Sequence, residues 1–132
     1  MMTASGKSLT YAGAGGNIGS PAVVSLVRTG CLERVTLIDP DTYEPHNLAS
    51  QDIAPHDVGR RKVDVLAERI RRIDPSLRVE AIAEPVEHVP LGRLRATVIG
   101  TGFDALAPRA WVNRAARCPG RPDYGVRSCP DR

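Results

Sequence analysis

Four glycines near the N-terminus are the first residues whose spacing could do chemistry. Gly13, Gly15, Gly16 and Gly19 directly follow a short apolar run. Glycines between a strand and a helix let the backbone approach a phosphate, whose charge the free N–H groups and the helix N-terminus stabilise. The stretch is one residue longer than the simple G-x-G-x-x-G pattern, so a plain tight turn is the alternative interpretation.

An aspartate follows this glycine stretch at a distance that suits nucleotide binding. Asp39 lies 20 residues beyond Gly19, at the end of the second predicted strand. An acid at that place can bind both hydroxyls of a ribose. A turn aspartate at a strand end is the simpler alternative. Together the two features predict an adenine nucleotide, without separating NAD from ATP.

The residues after Asp39 carry a longer pattern that does separate the two nucleotides. It comprises a D-x-D pair, an N-L pair, a glutamine, a V-G-x-x-K block and an R-I-x-x-I-D-P block, and later an aspartate, an arginine and an asparagine. The residues are Asp39 and Asp41, Asn47-Leu48, Gln51, Val58 to Lys62, Arg69 to Pro75, Asp104, Arg109 and Asn113. With the glycine stretch, this joint spacing resembles the ThiF/HesA/MoeB family, whose catalytic fold is shared with the ubiquitin-activating enzymes. The resemblance covers residues 8 to 127, nearly the whole chain.

The resemblance implies an activity, its cofactors and its partners. Such proteins use ATP to adenylate the C-terminal carboxylate of a ubiquitin-like or sulfur-carrier protein and release pyrophosphate. The implied cofactors are ATP and Mg²⁺, and a homodimer is a possible assembly. Cations must screen the triphosphate, and catalysis of this kind is mainly positioning and electrostatics.

The resemblance also implies roles for individual residues. Lys62 and Asp104 would be catalytic: Lys62 would contact the phosphates, and Asp104 would position Mg²⁺, a hard cation that prefers oxygen ligands. The implied nucleotide-binding residues are Gly13, Gly15, Gly16, Gly19, Asp39, Asp41, Asn47, Gln51 and Lys62. Arg109 and Asn113 are expected to tie their helix to the loops.

Each implied role has a simpler structural alternative. Lys62 could belong with Arg60 and Arg61 to a solvated basic helix face, and Asp104 could cap a strand end. Asp41 and Asn47 could be turn residues.

The sequence departs from the family pattern in three ways. Ser50 stands where the family often has a phosphate-binding arginine, and Arg60 or Arg61 is a candidate to compensate. The part before Ser8 is short, and the chain ends early for the family, so a truncated or split product is expected. A non-catalytic nucleotide-binding remnant and an NAD(P)-dependent oxidoreductase are therefore the alternative functions.

These residues need a framework of alternating strands and helices. The pattern predicts strands at 8–12, 35–38, 78–82, 96–101 and 123–127. It predicts a first helix capped by Ser20 and two further helices at 59–73 and 107–117. A long loop is predicted at 40–57. This order predicts an α/β fold: a Rossmann-like, mostly parallel sheet with helices on both faces, incomplete at the C-terminus.

Composition narrows the class of protein. A length of 132 residues predicts one domain over 1–132, with flexible ends at 1–7 and 128–132. No apolar run is long enough to cross a membrane, and no signal peptide is recognisable. Three cysteines argue against a disulfide scaffold and favour a cytoplasmic protein. A net charge of +3 with 4% aromatic residues does not predict nucleic-acid binding.

Overall fold

A computed structural model describes residues 6–102 and 106–116 of the chain. The strands are β1 (Lys7–Ala12), β2 (Leu32–Ile38), β3 (Arg78–Ile82) and β4 (Val98–Thr101). The helices are α1 (Gly19–Arg28), α2 (Lys62–Ile73) and α3 (Leu106–Ala116). Short 3₁₀ turns span Pro45–Ala49, Pro55–Asp57, Val86–His88 and Leu91–Leu94. Each strand and helix predicted within the described residues is present, and the predicted strand at 123–127 lies outside them.

The four strands form a parallel sheet in the order β3-β2-β1-β4. At the carboxyl end of β1, Ala12 pairs with Ile38 of β2 and with Thr101 of β4. Three strands therefore end side by side, and the residues that follow them meet at one edge of the sheet. This edge is where parallel α/β sheets bind ligands. The predicted α/β fold is confirmed.

Helical segments cover both faces of the sheet, because side chains alternate in direction along each strand. On one face Leu9, Tyr11 and Leu37 pack with the apolar stripes of α1 and α2. The stripe of α2 was predicted, and three of its four members are fully buried: Val63, Leu66 and Ile70. On the other face Ala12, Ile38 and Ile82 pack with Val86, Val89, Leu94 and Val112 from two 3₁₀ turns and α3.

Some predicted boundaries were wrong by a few residues. Helix α1 begins at Gly19, and Ile18 occupies the N-cap position without a side-chain cap, so Ser20 is not the cap. Helix α2 begins at Lys62 rather than at Gly59, since Gly59 has a φ of +87° and lies in a turn. Strand β4 begins at Val98, because the N–H of the preceding Thr97 donates to the Ser8 hydroxyl instead of a strand partner.

The long connection between β2 and α2 folds back on itself. The Tyr43 N–H donates to the Arg60 carbonyl at 2.9 Å, and the Gly59 N–H donates to the Tyr43 carbonyl at 2.8 Å. The Lys62 N–H donates to the Asp41 carbonyl at 3.0 Å. This short backbone ladder brings the start of α2 beside the end of β2.

Among the described residues, none of the helices has the length and apolar character needed to cross a membrane. The end segments predicted to be flexible fall largely outside the described residues, except that Gly6 is described and Lys7 is the first residue of β1.

Candidate functional site

A central cleft of about 640 Å³ opens at the carboxyl edge of the sheet. Gly13 follows β1, Asp39 follows β2 and Gly102 follows β4, so one residue from each strand end lines it. The other lining residues come from the glycine stretch, the β2–α2 connection, the turn after β3 and the start of α3: Gly16, Asn17, Ile18, Pro40, Asp41, Gln51, Lys62, Pro85, Val86, Glu87 and Pro108.

The four glycines are needed for different reasons. Gly13 has a φ of +75°, a conformation that favours glycine, and its N–H donates to the Ile38 carbonyl at 2.7 Å. A Cβ on Gly19 would overlap the Gly13 carbonyl and lie 2.9 Å from the Ala14 Cα. A Cβ on Gly15 would lie 2.8 Å from the Lys62 Cδ, whereas on Gly16 it would meet nothing closer than 4.0 Å. Gly15 and Gly19 therefore allow close packing, while Gly16 faces open space in the cleft.

Asp39 connects the glycine stretch with the β2–α2 connection. Its side chain is only 5% exposed, and one carboxylate oxygen accepts the Gly15 N–H at 3.0 Å. The other oxygen accepts the Asp41 N–H at 2.9 Å. Burial raises the pKa of Asp39, an effect that these two hydrogen bonds and the charge of Lys62 oppose. Each oxygen keeps further acceptor capacity toward a ligand in the cleft.

Lys62 is a buried residue that brings a cation to the same cleft. The residue is 8% exposed and begins α2, and its Nζ lies over the Tyr43 ring, 5.4 Å from the centroid. No acceptor among the described residues forms a hydrogen bond or ion pair with the ammonium group. An ammonium group has three N–H donors and is costly to desolvate, so it is prepared to bind an anion. The interpretation of Lys62 as part of a solvated helix face is wrong, because the side chain is buried.

Asn47 has a structural function that the sequence left open. Its side-chain oxygen accepts the Glu44 N–H at 2.8 Å, and its own N–H donates to the Glu44 carbonyl at 2.9 Å. These two bonds fix the start of the 3₁₀ turn Pro45–Ala49. Asn47 also lines a polar recess of about 390 Å³, which has Pro40, Asp41 and Lys62 in common with the central cleft.

Gln51 carries a buried acceptor without a donor. Its side-chain Oε1 is inaccessible and has no hydrogen-bond partner among the described residues. A buried polar atom left unsatisfied costs about 1–3 kcal/mol. Gln51 lines both the central cleft and a neighbouring depression, although this oxygen faces neither of them.

A third depression, of about 320 Å³, lies between α1, the β2–α2 connection and α2. We call it the side groove; it is lined by Gly16, Asn17, Ser20, Pro21, Val24, Ser25, Tyr43, Ser50, Gln51, Asp52 and Arg69. Arg69 Nη1 lies 2.7 Å from Asp52 Oδ2. Arg60, one of the two residues considered as compensation for Ser50, instead pairs with Asp57 and Glu68 and lines none of the three depressions.

Comparison with known proteins agrees with this geometry. The profile of the ThiF family matches residues 7–122. The chain belongs to the ThiF family. Its fold matches the crystal structure of tRNA N6-threonylcarbamoyladenosine dehydratase, TcdA, from E. coli with a TM-score of 0.75 and 30% identity, over 84% of this chain and 47% of that chain. A structure of E. coli MccB with AMPCPP and MccA matches with a TM-score of 0.68 and 25% identity, over 82% and 33% of the two chains.

Curated ThiF-family relatives are longer than this chain. Cap2 of Pseudomonas aeruginosa, an ATP-dependent ubiquitin transferase-like protein, is 29% identical over 107 residues, which are 79% of this chain and 20% of Cap2. The tRNA threonylcarbamoyladenosine dehydratase of E. coli is 44% identical over 68 residues, which are 51% of this chain and 25% of the relative. The chain thus spans a quarter or less of these two curated proteins.

Six of the predicted ThiF-type site residues line the central cleft: Gly13, Gly16, Asp39, Asp41, Gln51 and Lys62. Gly15 and Gly19 do not line the cleft but pack closely against residues that do, and Asn47 lines the polar recess. Asp104 lies outside the described residues, so its predicted catalytic and metal-binding role stays a prediction. Arg109 and Asn113 lie on the exposed side of α3.

The described residues hold no preformed site for a divalent cation. They contain no group of three His, Cys, Asp or Glu side chains that could hold a metal ion. Both Asp39 oxygens already accept backbone N–H groups.

Sequence reasoning missed two residues of the site. Tyr43 lies under the Lys62 ammonium, and Arg69 lines the side groove. Arg69 belongs to the quoted R-I-x-x-I-D-P block, but its spacing alone gave it no function. Tyr43 had no signal, because only the ladder between residues 41–43 and 59–62 brings its ring to Lys62.

Proposed function

We propose that this ThiF-family chain binds ATP in the central cleft and adenylates the C-terminal carboxylate of a ubiquitin-like or sulfur-carrier protein. The observation that carries this proposal is Lys62, a buried residue beside the glycine stretch whose ammonium group lines the cleft without a hydrogen-bond or ion-pair partner among the described residues. An ammonium group held in this way has its N–H donors available for a multiply charged anion.

The proposed arrangement of ATP follows from the cleft lining. The ribose would lie against Asp39, whose carboxylate oxygens can accept from its hydroxyls. The phosphates would run along Gly13 and Gly16 toward Lys62, where a Cβ at position 16 would occupy the path. The base would lie against the apolar part of the wall, formed by Ile18, Pro85 and Val86.

The proposed reaction is a single displacement at phosphorus. A carboxylate oxygen of the partner forms a bond to the α-phosphorus, while the bond from that phosphorus to the bridging oxygen of the β-phosphate breaks. The products are an acyl-adenylate and pyrophosphate, and no proton transfer is required. Lys62 would offset charge on the phosphates, and Mg²⁺, held with the help of Asp104, would add to that stabilisation.

The relatives support ATP, and two of them, Cap2 and MccB, support a protein or peptide substrate, whereas TcdA is named for a modified tRNA. TcdA has been crystallised with ATP and with AMP, and Cap2 is described as ATP-dependent and ubiquitin transferase-like. MccB has been crystallised with MccA. A homodimer and the identity of the modifier protein stay predictions.

The alternative functions predict a different choice of ligand. Calorimetry of the purified chain with ATP and Mg²⁺, and separately with NAD(H), is expected to show binding of ATP alone. Preference for NAD(H) would favour the oxidoreductase, and binding of neither nucleotide would favour a non-catalytic remnant.

The mechanism is tested with the variant Lys62→Ala. In the presence of a panel of ubiquitin-like and sulfur-carrier proteins, we expect ATP–pyrophosphate exchange to fall about 10²-fold or more, the cost of losing one well-placed charge-stabilising group. Arg61→Ala removes the same charge from an exposed neighbour and is the matched control. Equal exchange by the wild type and Lys62→Ala would exclude Lys62 from the mechanism.

A further inference from the structure

The side groove continues the central cleft. Gly16, Asn17 and Gln51 line both, so a chain of phosphates that passes the glycine stretch can extend from one into the other. The groove has polar side chains on both walls, among them Asn17, Ser20 and Ser50. Its position beyond the glycine stretch is suited to the phosphates that are furthest from the ribose.

The cleft and the groove contain few cations to balance those phosphates. Lys62 is the only lysine or arginine among the described residues that line the central cleft, and Arg69 is the only one lining the side groove. Ser50 brings no charge, and the Arg60 guanidinium is held by Asp57 and Glu68. Within the part of the chain that the structure describes, a triphosphate therefore finds its second cation in the side groove.

The Arg69 side chain is restrained and yet still has donors. It is 35% exposed, and its Nη1 lies 2.7 Å from the Asp52 carboxylate, which is itself 80% exposed. A guanidinium group has five N–H donors in a planar fork, so pairing with one carboxylate oxygen leaves most of them for a second anion. The ion pair with Asp52 engages one edge of the fork from the solvent side, and the other edge keeps its donors for a second anion.

We propose that Arg69 is a second phosphate-binding cation of the site, and that it contacts the terminal phosphates of ATP and the pyrophosphate that leaves. This inference rests on the proposed adenylating function. The charge that Ser50 does not supply would then come from helix α2, about two turns beyond Lys62. Both cations then belong to one rigid element, which fixes their separation.

The test compares ligands with and without terminal phosphates. Calorimetry would measure ATP, AMP and inorganic pyrophosphate with the wild type and with Arg69→Gln, and Arg72→Gln on the exposed side of the same helix is the control. We expect Arg69→Gln to weaken ATP and pyrophosphate about tenfold or more, and AMP less than twofold. Arg69→Lys should restore part of the loss, because it keeps the charge but not the fork.

Two results would overturn the assignment. One is unchanged ATP affinity in Arg69→Gln; the other is an equal loss of ATP and AMP, which would indicate a structural role. Pyrophosphate separates this inference from the proposed function. If the wild type bound pyrophosphate but not ATP, the proposed function would fail, and loss of pyrophosphate binding in Arg69→Gln would still support the role of Arg69.

Discussion

The floor of the central cleft, which we define as Asp39 and Lys62, and the side groove differ in how their charged groups are held in place. On the floor, Asp39 and Lys62 are at most 8% exposed, and backbone hydrogen bonds from Gly15, Asp41 and the ladder fix their positions. In the side groove, Arg69 and Asp52 are more exposed and hold each other through one ion pair. Exposed pairs of this kind contribute about 0–1 kcal/mol, so the groove is adjustable where the floor is not.

This difference teaches where substitutions should act. A change on the floor disturbs backbone as well as chemistry, because each charged group there shares its contacts with the glycine stretch. A change in the groove should alter affinity for a particular phosphate and leave the fold intact. Arg60 and Lys62 illustrate the contrast within three residues, since one is satisfied by two carboxylates and the other has no anionic ion-pair partner among the described residues.

The largest effect is expected for Gly19→Ala. Its new Cβ would overlap the Gly13 carbonyl, which is backbone and cannot rotate away. We expect a loss of about 1–3 kcal/mol in the free energy of unfolding, as for other overpacked sites, together with loss of nucleotide binding. Chemical denaturation and calorimetry would measure the two quantities.

Gly92→Ala is the matched control for this variant. A Cβ on Gly92 meets no atom within 4 Å, and the residue lies in the exposed turn Leu91–Leu94. We expect little change in stability or binding. If both variants had the same stability and nucleotide affinity, the close approach of Gly19 to Gly13 would not be important for the structure of the glycine stretch.

A smaller effect on ATP binding is expected from substitution of Tyr43, whose ring contacts the Lys62 ammonium group. The ring is buried and lies under the ammonium, where a cation–π contact is worth about 0.5–2 kcal/mol. Tyr43→Leu should therefore weaken ATP binding by about 2- to 30-fold. Tyr43→Phe keeps the ring and should bind ATP within about twofold of the wild type. Equal affinities for the Leu and Phe variants would show that the ring face does not matter.

The sequence sufficed for the parts of the fold that local pattern determines. Apolar periodicity placed α2, and alternation placed β3 with its observed bounds. The glycine stretch and Asp39 were placed at one edge because parallel strands end together. Spacing alone could not show that Asp39 already accepts two backbone N–H groups, since one of those donors, Gly15, lies 24 residues away.

The positions of the remaining site residues could not be predicted, because they depend on hydrogen bonds between the two ends of the β2–α2 connection. The loop predicted for 40–57 is tied to residues 59–62 by backbone hydrogen bonds between Tyr43 and both Arg60 and Gly59. That closure decides that Lys62 is buried while Arg60 reaches Asp57 and Glu68. Three basic residues in a row cannot be distinguished by charge, so this outcome needs the tertiary structure.

The smallest effect is the pH dependence that Asp39 should impose on stability. Burial raises its pKa above the ordinary value of 3.8, so the native state favours the protonated carboxyl. The stabilising contribution is complete below pH 3.8 and is lost as the pH rises through the raised pKa. Asp39→Ala removes this titration but also two hydrogen-bond acceptors, so the variant should be less stable at every pH.

The informative quantity is therefore how the difference in unfolding free energy between the wild type and Asp39→Ala changes with pH. We expect the advantage of the wild type to shrink as the pH rises above 3.8. Denaturation at a series of pH values would measure it. An advantage that grew with pH would mean that the backbone donors and Lys62 outweigh burial. The floor of the cleft would then stabilise the carboxylate even without a bound nucleotide.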